Sequence, residues 1–83
     1  MKKGRELFLI NLKPDEDAQI ISILGGQMAT KRLTDLGLTP GTKIKVLRRA
    51  PFWGPIEIEV RGSKLVLGRG LASKILVKRH EPR

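Results

Sequence analysis

Residues 55–61 read PIEIEVR. Ile56, Ile58 and Val60 alternate with Glu57, Glu59 and Arg61, the period of two that marks a strand with one buried face and one face in water. Residues 42–48, TKIKVLR, carry the same pattern, with Ile44 and Val46 on one face and Lys43 and Lys45 on the other. RAPFWG joins the two segments, which predicts a hairpin with a broad loop. On its outer face Lys43 and Lys45 are expected near Glu57 and Glu59, and opposite charges across antiparallel strands contribute about 0.2–1 kcal/mol per pair.

A half-buried hairpin needs a cover, and the rest of the chain supplies short pieces for one. ELFLINL and AQIISIL, separated by the turn-forming KPDED, predict two strands. Gly25-Gly26 ends the second, and QMATKRLTDL then sets Ala29, Leu33 and Leu36 on one stripe of a helix whose other face holds Lys31, Arg32 and Asp35. Gly37 suits the left-handed position past a helix end, and Leu38 the hydrophobic contact back to Leu33 of a Schellman ending. Thr39-Pro40-Gly41-Thr42 has the chemistry of a type II turn, with Pro preset at the second position and Gly supplying the positive φ at the third. Arg61-Gly62-Ser63-Lys64 is a second tight turn, leading to LVL at residues 65–67. GRGLAS suits a single helical or 3₁₀ turn before a last strand, KILVK.

The expected fold is mainly β, about five short strands with one helix between the second and third. Eighty-three residues build one small core. With Phe8, Phe52 and Trp53 the only aromatic residues, that core must be aliphatic. Sequentially adjacent short strands favour a strongly bent barrel of the SH3-like kind, because closure removes exposed edges. An OB-fold places its helix after the third strand instead. The expected domain is 6–78, with basic tails at 1–5 and 79–83.

The absence of cysteine excludes disulfides and thiolate metal sites. LFLI, residues 7–10, is far shorter than a signal-peptide core or the roughly 20 apolar residues of a membrane span, so a cytoplasmic location is expected. Seventeen Lys and Arg against eight Asp and Glu leave a formal charge of +9, compatible with nucleic acid, anionic lipid or an acidic protein as partner. Aromatic residues interleaved with the charge, which single-strand binders use for stacking, are nearly absent, so nucleic acid is disfavoured.

Catalysis finds little support. His80, the single histidine, falls in the expected tail with no Ser or Cys beside it. Asp15, Glu16 and Asp17 are the one dense carboxylate group and read as a solvated turn rather than a metal site. GRG and GGQ read as turn glycines. Candidate partner-binding residues are Leu38, Arg48, Arg49, Phe52, Trp53 and Pro55. Trp53 is either a rigid anchor for a protein partner or a lid over the barrel mouth, and its exposure separates the two. Capping alone explains Leu36, Gly37 and Leu38, so a contact role for Leu38 requires that it be exposed.

Residues 32–77 carry two ordered motifs, LxxLGLxPGxxIxV and GPIxIxVRGxxLxL. In these, and in LFLINLKPDEDAQIISILGG before them, the chain resembles the FeoA family, over roughly residues 6–78. The resemblance implies an SH3-like barrel and an accessory role in ferrous iron uptake, acting on the cytosolic G-protein region of the FeoB transporter. It implies no catalytic residue and no required cofactor; weak iron or zinc binding is left open with no ligand assigned. A homo-oligomer is compatible with it, and membrane contact is expected only through the partner. The domain also resembles the C-terminal module of metal-dependent repressors, but no winged-helix pattern precedes it here. The alternatives are a metal-responsive or a nucleic-acid-binding SH3-like module. Where many FeoA members have acidic residues after the LxL strand, this chain has Gly68-Arg69-Gly70-Leu71, which alters the polarity of that surface.

Overall fold

The structure, a computed structural model, describes residues 6–80. Its strands are β1 (Glu6–Phe8), β2 (Asp17–Ile23), β3 (Lys43–Arg49), β4 (Ile56–Val60), β5 (Ser63–Leu67) and β6 (Ile75–Arg79). Helix α1 (Gln27–Asp35) stands between β2 and β3, and the one-turn helix α2 (Arg69–Ala72) between β5 and β6. The sheet runs β1-β6-β2-β3-β4-β5 with every neighbouring pair antiparallel. The mainly β, SH3-like reading therefore holds, with six strands rather than five.

Closure does not hold. β1 and β5 are the two edges of an open, bent sheet. ELFLINL is not one strand, because the chain leaves the sheet after Phe8 and makes a 3₁₀ turn over Leu9–Asn11. That turn sinks Leu9 and then Leu12 fully into the core, an apolar gain that replaces three more residues of edge. The bend comes from two bulges, one at Ile21 between β2 and β6 and one at Leu47 between β3 and β4. The core that the sheet wraps is wholly aliphatic, built from Leu, Ile, Val and Ala.

The bulge at Leu47 also rewrites the expected charge pairs. Lys45 faces Glu59, and the extra residue brings Arg48 rather than Leu47 opposite Glu57. Lys43 faces Gln19 on β2. Glu57 makes its ion contact on the other side, with Lys64 of β5 at 4.0 Å.

The junction after α1 follows its local chemistry closely. Leu38 donates its amide to the Leu33 carbonyl at 2.9 Å, Gly37 donates to Thr34 at 2.9 Å, and Gly37 has φ +87°. This is the paired bonding of a Schellman ending. Because the helix stops there, Leu36 is left 41% exposed and Leu38 folds back into the core beside Leu33, both fully buried. The expected stripe thus loses Leu36 and gains Leu38. Thr42 donates to the Thr39 carbonyl at 3.0 Å with Gly41 at φ +93°, as a type II turn needs. Gly41 in turn donates to Ile20 at 2.7 Å, which pins the turn to β2.

The last strand, β6, runs to Arg79. Arg79 pairs with Ala18 in the sheet and reaches Glu16 at 3.5 Å, and the His80 amide donates to the Asp17 carbonyl at 2.9 Å. Residues 1–5 and 81–83 of the expected tails lie outside the described residues.

Candidate docking surface

The β3–β4 hairpin ends in Pro51-Phe52-Trp53-Gly54, a turn closed by the Gly54 amide donating to the Pro51 carbonyl at 3.2 Å. One layer below, Ala50 donates to Pro55 at 3.0 Å. Phe52 and Trp53 both have positive φ, 56° and 63°. Positive φ at both central positions is the requirement of a type I′ turn, whose twist matches that of the flanking strands. Asn-Gly is the usual occupant, and left-handed backbone costs a residue with a side chain about 1–2 kcal/mol. Here the strained positions carry two of the chain's three aromatic side chains, and both face solvent, Phe52 at 93% and Trp53 at 76% exposure. Trp53 therefore does not close the barrel mouth.

A second element holds it in place. Arg69, the first residue of α2, stacks its guanidinium over the indole at 4.5 Å from the ring centroid. The Gly68-Arg69-Gly70 departure thus has a structural role: it buttresses the turn from across the sheet. A cation over an indole contributes about 0.5–1 kcal/mol at an exposed site. Arg48 and Arg49 lie at the base of the same hairpin, both exposed. Arg49 also donates to the Leu12 carbonyl at 3.0 Å, so it ties the hairpin to the end of the 3₁₀ turn. Pro55 is exposed beside them.

Five of the six candidate residues, Arg48, Arg49, Phe52, Trp53 and Pro55, are thereby brought to one hairpin end. Leu38 is not among them. It is fully buried, and its side chain serves the core and the helix ending. Arg69 is the residue that sequence reasoning placed near a contact surface without assigning it a partner; its pairing with Trp53 depends on which strand ends meet.

The carboxylates do not converge. Asp15 and Asp17 are exposed, while Glu16 accepts from the Lys13 amide at 2.8 Å and pairs with Arg79. Among the described residues no three His, Cys, Asp or Glu side chains come together as a metal site would need. No helix among them is long and apolar enough to cross a membrane.

Comparison with known proteins agrees with this architecture. The FeoA domain model matches residues 9–79. A Methanocaldococcus jannaschii protein bearing the name Fe(2+) transport protein A is 39% identical over 66 residues, covering 80% of this chain and 78% of that protein. The crystal structure of an iron uptake regulatory protein, FeoA, superposes with a TM-score of 0.84 at 37% identity, covering 90% of this chain and 99% of that one. The NMR structure of a FeoA-like protein from Clostridium acetobutylicum superposes with a TM-score of 0.86 at 25% identity, covering 100% and 94%.

Proposed function

The chain belongs to the FeoA family of ferrous iron transport proteins, and from that premise we propose that it is a cytoplasmic accessory protein that docks on the cytosolic G-protein region of a FeoB-type transporter. It offers surface rather than chemistry. The observation that carries this reading is the Phe52-Trp53 turn: two strained, solvent-facing aromatic residues, stiffened by Arg69 and flanked by Arg48 and Arg49.

Backbone strain persists only where the surroundings over-determine it, and it concentrates at sites with a task. Tryptophan and arginine are among the residue types most enriched where binding energy concentrates; the indole contributes large contact area with only two side-chain torsions to fix. Preorganisation by Arg69 lowers that cost further, since the indole orientation is set before the partner arrives. The charge of +9 supports attraction to an acidic surface and speeds encounter.

The test is a calorimetric titration of the chain into the purified cytosolic domain of such a transporter. Saturable binding that Trp53→Ala weakens is the expected result. Binding that is absent, or that ignores Trp53, overturns the proposal.

A further inference from the structure

The two open edges of the sheet are unequal. β1 is three residues long and is cut by the 3₁₀ turn, which is one way that proteins blunt an edge. β5 has five residues in unbroken register with β4, from Val60 opposite Ser63 to Ile56 opposite Leu67, and no bulge twists it away. Both bulges lie elsewhere in the sheet.

The register shows which backbone groups of β5 have no partner strand among the described residues. Arg61 and Gly62 form a two-residue turn, both with positive φ, 50° and 81°. Such a turn makes Val60 and Ser63 a hydrogen-bonded pair, and antiparallel alternation then makes Leu65 and Leu67 the next residues bonded to β4. Lys64 and Val66 therefore aim their N–H and C=O groups away from β4, along the open edge. Their side chains are open too: Lys64 is 74% exposed and Val66 61%. Leu65 alternates to the other face and packs partly buried against the core.

We propose that β5 accepts an extended segment of the partner as a seventh, edge-added strand, and that this segment alternates apolar and acidic residues. The proposal rests on reading the chain as a docking module and gives that module a binding mode. Backbone pairing to Lys64 and Val66 supplies affinity, and alternate side chains supply selectivity. Side chains of an added strand alternate faces, so its apolar residues extend the inner face beside the partly buried Leu65 and its acidic residues share the outer face with Lys64 and Val66. On that outer face the acidic residues meet Lys64 in the middle of the strand and Arg69 just past its end, while Glu57 and Glu59 sit one strand further in. A second copy of the chain is the weaker occupant, since two molecules of +9 repel as they approach. Through Arg69 the same edge is continuous with the Trp53 turn, so one partner can span both.

The test uses a short synthetic peptide of alternating Val and Glu, followed by NMR with amide exchange. In the free chain the Lys64 and Val66 amides exchange fast and those of Leu65 and Leu67 slowly. Saturable binding that slows Lys64 and Val66 by about tenfold or more is the expected outcome. Val66→Pro removes one outward donor without touching a β4–β5 bond, and is expected to weaken binding about tenfold with the fold retained. The same peptide N-methylated at alternate amides keeps its side chains but loses its donors, so it must bind far more weakly, which needs no variant of the protein. Peptide binding that leaves both amides fast, equal binding by the methylated peptide, absence of binding, or protection of β5 that appears with protein concentration alone each overturns the proposal. Run in parallel with the transporter domain, the experiment separates the two readings. A domain that binds wild type and Val66→Pro equally overturns the edge strand and leaves the docking role intact. A domain that fails to bind while the peptide pairs with β5 removes the transporter and leaves the edge strand.

Discussion

Arg69 lies with its guanidinium 4.5 Å from the centre of the Trp53 ring. One residue belongs to a strained hairpin turn and the other to a single helical turn after β5, so their contact couples two connections that the sheet alone leaves independent. An exposed indole gains a fixed orientation from it, which is what a docking anchor requires.

Trp53→Ala is expected to leave folding nearly unchanged, because the side chain is mostly in water, and to weaken binding to the transporter's cytosolic domain by more than about 1 kcal/mol. Titration calorimetry together with a urea melt checks both halves. A double-mutant cycle with Arg69→Ala is expected to give a coupling of about 0.5–1 kcal/mol in stability.

Replacing Phe52-Trp53 by Asn-Gly relieves left-handed strain at both positions while deleting the aromatic surface. Stability is expected to rise by about 1–2 kcal/mol, and partner binding to be lost. A variant less stable than the parent contradicts the strain argument.

Gly37→Ala places a Cβ on a residue at φ +87° and only 3.1 Å from the Arg61 guanidinium, which donates to the Gly37 carbonyl at 3.0 Å. A loss of about 1–2 kcal/mol is expected from the backbone, with any displacement of Arg61 adding to it. Chemical denaturation measures the sum, and Arg61→Ala in the same background reports the second part.

Leu38→Ala is expected to cost about 2–5 kcal/mol of stability, as for other fully buried leucines. The fraction that remains folded should bind the transporter domain as the parent does. Weaker binding by folded Leu38→Ala, measured under stabilising conditions, would return this residue to the contact surface.

The features legible in the sequence are those whose cause lies within a few residues. The alternation of PIEIEVR and TKIKVLR sets which side chains face the core, because the pleat has a period of two whatever the strand pairs with. Gly37, Gly41 and the prolines fix turns through backbone sterics alone, and both turns form as their chemistry requires. That Phe52, Trp53, Arg48 and Arg49 share one hairpin end also follows from proximity in the chain.

Tertiary packing decided the rest. A bulge at Leu47, placed where the sheet must bend around its core, put Arg48 in place of Leu47 opposite Glu57. The early end of β1 left the barrel open, since burying Leu9 and Leu12 competes with extending an edge. Leu38 went to the core and Trp53 to solvent, although both are apolar residues beside turns, because the helix ending points one inward and the hairpin tip carries the other away from the sheet. The meeting of Arg69 with Trp53 and the free edge of β5 depend on strand order, which arises from the whole sheet packing at once and is encoded in no single stretch of the chain.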